Sequence, residues 1–159
     1  MTGWDFLVDK LCKNIIKTFP SRYRLIPRAD NPDIGMLSQF VIWKGPSGRR
    51  LFLHHFHCPE IKTHAHNHRW SYMRSFVLSG FYVEERYRLG SDAYSKCLRD
   101  RFRTHSMNKE TIHRVYHWSE RCWTLFYCGK DEREWGYFNL NDMNYTPWQG
   151  FVKKIIPKI

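Results

Sequence analysis

The sequence contains no Cys-x-x-Cys pair. Its five cysteines, Cys12, Cys58, Cys97, Cys122 and Cys128, stand far apart and are odd in number. That pattern excludes a zinc ribbon and a disulfide scaffold, and it points to a reducing compartment, the cytoplasm. No apolar run approaches the roughly 20 residues of a membrane span, and no basic-then-apolar leader opens the chain, so neither a membrane-spanning nor a secreted protein is expected. Repeats and low-complexity tracts are absent, which excludes a solenoid or a disordered polymer. Acidic residues are scarce: 15 Asp and Glu face 26 Lys and Arg, for a net charge of +11. A basic surface attracts nucleic acid or small anions. Here the basic residues recur in short groups (Arg22, Arg24 and Arg28; Arg49 and Arg50; Lys96 to Arg103; Lys153 and Lys154) instead of one dense block. Weak, salt-sensitive phosphate attraction without base readout is therefore the expectation for nucleic acid.

What is abundant is aromatic. Trp, Tyr and Phe make up 17% of the 159 residues, which favours the half-buried pleats of strands. One helix is predicted at the start, over 1–20. Trp4, Leu7, Val8, Leu11, Cys12, Ile15 and Phe19 follow a helical period, Thr2 and Asp5 form a capping box, and Pro20 stops it. Short strand patterns follow over 37–43, 51–57, 75–78, 81–87, 114–118, 123–127 and 135–139. The first two flank the turn cluster Gly45-Pro46-Ser47-Gly48, so a hairpin is predicted there. Such a series reads as a single domain over 1–159, a sandwich or closed barrel over about 35–140, with a tail over 141–159 that wraps the outside.

Nine histidines are many for this length, and six lie between His54 and His68. On a strand, side chains two apart share a face, so His64, His66 and His68 would converge. Two neutral imidazoles from one strand and a third from a neighbour can hold a metal ion. His113 is the natural third group, and His64 and His117 are its rivals. His55 suits a supporting position behind a ligand.

The spacing carries a resemblance. His66-x-His68, four residues, Met73, six residues and Gly80 resemble the first signature of the cupin superfamily, with Met73 where that signature has Glu. The second signature supplies one more His, matched by His113, although Asn108 and Glu110 stand where Gly and Pro usually precede it. A closer resemblance, to small phage and bacterial cupin-like proteins, rests on Leu53-His54-His55-Phe56, His66-Asn67-His68-Arg69-Trp70, Gly80-Phe81-Tyr82, His113-Arg114-Val115, Thr124-Leu125-Phe126, Gly129, Arg133-Glu134-Trp135-Gly136-Tyr137 and Trp148. It runs from about residue 51 to residue 151.

The resemblance implies a mostly β chain: a single-domain cupin barrel, the double-stranded β-helix or jelly roll, with an N-terminal helix. It also implies one divalent metal on His66, His68 and His113, with iron(II) preferred and manganese, nickel, zinc or copper as substitutes. Three neutral ligands leave the ion electrophilic and leave sites open for a chelating anion. Met73, His55, Arg114 and Arg133 are the candidate substrate contacts, and Glu84 or Glu85 could restore a carboxylate. The function expected is a metal-dependent enzyme on a small anionic substrate, foremost a three-His non-haem iron(II) dioxygenase. The alternatives are a decarboxylase, isomerase or hydrolase on the same site, or a non-catalytic metal- or ligand-binding barrel with weak nucleic-acid affinity. A monomer or homodimer fits either. Barrels of this kind host many chemistries, so the motif speaks for fold more than for reaction.

Overall fold

The computed structural model describes residues 2–28, 31–91 and 93–155. Side chains are described except at 32 and 152–155, so Lys153 and Lys154 lie outside the described side chains.

Helix α1 spans Gly3–Thr18 and starts as the sequence predicts. Thr2 accepts from the Asp5 amide, and the Asp5 carboxylate accepts from the Thr2 amide at 3.1 Å. Two otherwise unpaired amides are thus satisfied. Its buried stripe, with Val8 and Cys12, packs on Phe40, Leu53 and Trp123. Asp9 accepts from the Trp123 indole at 3.0 Å, and Asp5 accepts from the Gly80 amide at 3.1 Å.

The strands form two antiparallel six-stranded sheets. The first contains β1 (Tyr23–Arg28), β2 (Asn31–Lys44), β3 (Arg50–Phe56), β10 (Trp123–Cys128), β5 (Tyr72–Ser79) and β8 (Thr104–Asn108), in that order. The second contains β12 (Tyr145–Pro147), β11 (Gly136–Asn139), β4 (His64–His66), β9 (Ile112–Trp118), β6 (Phe81–Tyr87) and β7 (Tyr94–Asp100). Helix α1 covers the outer face of the first sheet. The inner faces meet through Val77, Tyr82, Val115 and Cys122, and Phe52, Met73, Met107 and Phe126 form a second cluster on the first sheet. The sheets stack as a jelly roll without closing into one hydrogen-bonded barrel.

The predicted hairpin is present: β2 and β3 pair across the Gly45–Gly48 turn, where Ser47 and Gly48 take φ of 56° and 78°. Gly80, between β5 and β6, has φ of 66°, and a Cβ there would meet Ser119 Oγ at 2.1 Å. Only glycine fits that corner.

Strand structure extends further than the sequence pattern does, from Tyr23 to Pro147. Strands β1, β7, β8 and β12 escape a period-2 reading because they are edge strands with mostly exposed side chains, as in β7, where none is fully buried. The tail also differs from expectation. Its helix α2 (Trp148–Ile155) stacks Trp148 on Trp135 at 4.8 Å and Phe151 on Tyr137 at 4.1 Å. Tyr137 is the cross-strand partner of His66, and such partners point to the same side. The described part of the tail thus packs on both sides of the second sheet, Met143 and Tyr145 against Phe138 on the outer side and α2 against Tyr137 on the other. No helix among the described residues is long and apolar enough to cross a membrane.

Candidate metal centre

His66 ends β4, His68 follows two residues later in the coil, and His113 sits on β9 directly opposite His66. One potential ligand atom from each lies within 4.8 Å of the others. The Nε2 atoms of His68 and His113 are 2.9 Å apart, so one ring donates to the other. Ala65, fully buried, packs on Ile112 and Phe138 on the opposite side of β4 and so turns His66 inward. The Asn67 side chain locks the bend by accepting from the Gly136 amide at 3.0 Å.

Two carboxylates stand behind the imidazoles. His66 Nδ1 lies 3.0 Å from Glu60 Oε2. His113 Nδ1 lies 3.6 Å from Glu84 Oε2, an electrostatic contact longer than a hydrogen bond. Both of those last atoms are buried without a hydrogen-bond partner. Burial works to raise the Glu84 carboxyl, but His113 and the guanidiniums of Arg99 and Arg86 outweigh it and hold it below the usual carboxylate range. Arg99 donates to Glu84 Oε1 at 2.7 Å, and Arg86 contacts the same oxygen. Burial likewise works to raise Glu60, and the neighbouring His66 and His113 outweigh it. His68 is driven well below its ordinary value by burial first and then by the charges of His66 and His113. It is therefore a neutral ring with a lone pair to give.

The donor chemistry fits a divalent cation. Neutral imidazoles bind iron, zinc, copper and nickel, and a carboxylate behind a ligating ring fixes its tautomer and raises its basicity. The walls are aromatic. The ring of Trp70 stacks near His68 at 5.9 Å, Phe126 stands 6.1 Å from His68, and Trp135 and Tyr137 stand about 6 Å from His66.

The other candidates lie elsewhere. His64 shares the face of His66 but meets Phe151 at 4.9 Å and Thr63 Oγ1 at 2.9 Å. His117 is exposed beside Phe81, because the β6–β9 register shifts between Val83 and Glu84. His55 faces α1, stacked flat on Trp123 at 4.2 Å. Met73 has no exposed surface and packs with Phe52, Met107 and Phe126. Arg114 pairs with Glu85, and Arg133 pairs with Glu110 at 3.2 Å. Of the two carboxylates anticipated on β6, Glu84 reaches the cluster and Glu85 points away to Arg114 and Tyr87. Glu60 was not anticipated; it lies in a loop, where no periodicity points at a site. The one available signal was its position six residues before His66.

No protein-family model matches the sequence, and no curated protein sequence matches it. Solved structures do. The Fe(II) form of HppE with an alternative substrate aligns with a TM-score of 0.51 at 8% identity, over 69% of this chain and 57% of that one. Hydroxypropylphosphonic acid epoxidase from S. wedmorenis aligns at 0.50 and 8%, over 69% and 56%. Streptomyces PAC13 with uridine aligns at 0.48 and 10%, over 80% and 86%. The fold is a cupin fold. At these identities the likeness concerns fold alone, and the aligned region spans little more than half of the epoxidase chains.

Proposed function

We propose that His66, His68 and His113 hold one divalent metal ion and that the protein is a metal-dependent enzyme acting on a small anionic substrate, with iron(II) dioxygenase chemistry foremost. The observation that carries this reading is the convergence of three inward-facing imidazoles, two of them backed by carboxylates. Iron(II) is also the metal of the epoxidase neighbour.

When bound, the metal would supply Lewis acidity and, as iron(II), a site for dioxygen. The chain supplies the rest. Glu60 holds the proton of His66 on Nδ1 and leaves Nε2 as the donor atom. Glu84 sits behind His113, with Arg86 and Arg99 sharing its charge, so the negative charge beside the rings is already partly balanced. The faces turned toward the shared point are neutral. An anionic substrate, chelating through two atoms, would complete the charge balance and be favoured over a neutral one. Trp70, Phe126, Trp135 and Tyr137 exclude water and strengthen that attraction.

The test is anaerobic loading of the purified chain with iron(II), followed by oxygen-electrode screening of small carboxylates and phosphonates. Substrate-dependent oxygen uptake supports dioxygenase chemistry. Turnover without oxygen uptake reassigns the site to decarboxylation, isomerisation or hydrolysis. Failure of the wild-type chain to retain any divalent ion would sink the metal reading altogether.

A further inference from the structure

Two sheets that do not close leave four edge strands, β1 and β8 in the first and β12 and β7 in the second. An open edge presents unpaired amides and carbonyls to any second strand, and folded proteins blunt such edges. Three of the four are blunted here. β1 contains Pro27, and its pairing with β2 is irregular on both sides of that residue. β12 has three residues and ends in Pro147. β8 has five, and Arg86 donates to its Ser106 carbonyl at 3.3 Å.

β7 differs. Its seven residues contain no proline and pair with β6 without a break in register. Among the described residues, no backbone group outside the sheet bonds to its backbone from Tyr94 to Arg99. Its side chains alternate between two faces. Ser95, Cys97 and Arg99 share the inward face, where Arg99 donates to Glu84 at 2.7 Å. Tyr94, Lys96, Leu98 and Asp100 share the outward face, with Leu98 62% and Tyr94 49% exposed. Asp100 is exposed and, among the described residues, makes no ion pair; its carboxylate accepts from the Arg101 amide at 2.7 Å. Lys96 lies over the Tyr94 and Tyr116 rings and reaches Glu85 at 3.8 Å, a carboxylate already held by Arg114 and Tyr87.

The outward set is self-complementary. A two-fold axis through Leu98, perpendicular to the sheet, lays a second copy of β7 antiparallel to the first. Leu98 then meets its own copy, and Lys96 of each chain stands opposite Asp100 of the other. On the inward face Cys97 stands opposite Arg99, so no like charges are directly opposed. An axis at Lys96 or Arg99 would oppose like charges, and one at Cys97 would set Lys96 against Leu98 with no ion pair. We propose that β7 is the pairing edge of a homodimer, joined to its copy about Leu98, so that two six-stranded sheets become one continuous sheet. The interface is isologous. Backbone hydrogen bonds along the edge supply the attachment, and the two Lys96–Asp100 pairs select the register. The proposal does not rest on the metal reading.

The test is sedimentation equilibrium on the full chain, which should form a reversible dimer. Lys96→Glu and Asp100→Lys should each weaken the dimer about tenfold or more, because either reversal turns two attractive cross-strand pairs into two repulsive ones. The double variant Lys96→Glu/Asp100→Lys should restore the wild-type affinity. Cross-linking reads the register. Under mild oxidation Leu98→Cys, made in a Cys97→Ser background, should form a disulfide between chains, since directly opposed positions lie within its reach. Wild type should not cross-link through Cys97. His68→Ala should remain dimeric, which separates this interface from the metal centre. Melting curves confirm that each variant is folded. A monomer at every concentration, or a dimer that both folded charge reversals leave unchanged, would overturn the proposal. Cross-linking through Cys97 in place of Leu98→Cys would overturn the register and with it the role of the charge pairs.

Discussion

Two His-x-His pairs, His55-x-His57 and His66-x-His68, look alike in the sequence and end in opposite environments. Each pair brings its rings close, 4.5 Å for the first and 4.8 Å for the second. The first pair lies on the outer face of the first sheet, near α1. There His55 is stacked on Trp123 and meets the Glu120 carbonyl at 3.2 Å, and His57 meets Ser38 Oγ at 2.6 Å. Each ring already has a protein partner. The second pair lies between the sheets, where the hydrogen-bond partner of His68 is another imidazole, that of His113. A repeated motif becomes a candidate site only when a third imidazole and supporting carboxylates arrive from other strands. Among the described residues the first pair gains no third imidazole.

The sharpest way to break this comparison is metal content. Wild-type protein should retain about one divalent ion per chain after desalting, and His66→Ala, His68→Ala and His113→Ala should each lose most of it. His55→Ala and His117→Ala should keep it. Elemental analysis decides, and equal metal content across all five variants would erase the distinction between the pairs.

Next in size is the support behind the rings. Glu84→Gln and Glu60→Gln should weaken metal affinity by about 10–100-fold, the usual cost of losing a carboxylate behind a ligating histidine. A competitive chelator titration measures it. If both variants match wild type, the carboxylates are packing features only.

The outer pair should instead register in stability. Trp123 is 1% exposed and carries both the His55 stack and the Asp9 hydrogen bond, so Trp123→Ala should cost about 3–5 kcal/mol in denaturant unfolding. Thr2→Ala, which removes the cap of α1 and the Arg101 contact to the Thr2 hydroxyl, should cost about 1 kcal/mol. A Trp123→Ala loss below that of Thr2→Ala would mean that α1 and the outer pair contribute little to the core.

The last effect is on pH dependence. Burial lowers His55 to about 4, and the repulsion of His57 adds to it. Burial also lowers His54 to about 3. An unfolded histidine takes up its proton near 6.5. Between about pH 6.5 and 4 the unfolded chain therefore binds more protons than the folded one, and stability falls as pH falls. Above about pH 7 these rings are neutral in both states, and their contribution is flat. Melting temperatures from pH 8 to 4 should show this decline, and it should be shallower in a folded His55→Gln variant.

Much of the outline was legible because it is local. The α1 cap needs only Thr2 and Asp5, the β2–β3 hairpin needs only its Gly-Pro-Ser-Gly turn, and the His66-x-His68 pair needs only adjacent backbone. The choice between His113 and His117 was not local. They share a period-2 face on paper, and the irregular β6–β9 pairing near Tyr116 separates them, leaving His113 buried and His117 exposed. Met73 stood at the position of a ligand and is core, and Glu60 stood in a loop and is the partner of His66.

By itself the sequence determined the fold class, the leading helix and the pair of histidines from which a site could be built, because periodicity, capping and turn chemistry act over a few residues. Tertiary structure alone decided which third histidine joins the pair and which carboxylates stand behind the rings. Those facts depend on strand order and register, which bring together side chains such as His68 and His113, 45 positions apart, and no local pattern encodes that distance.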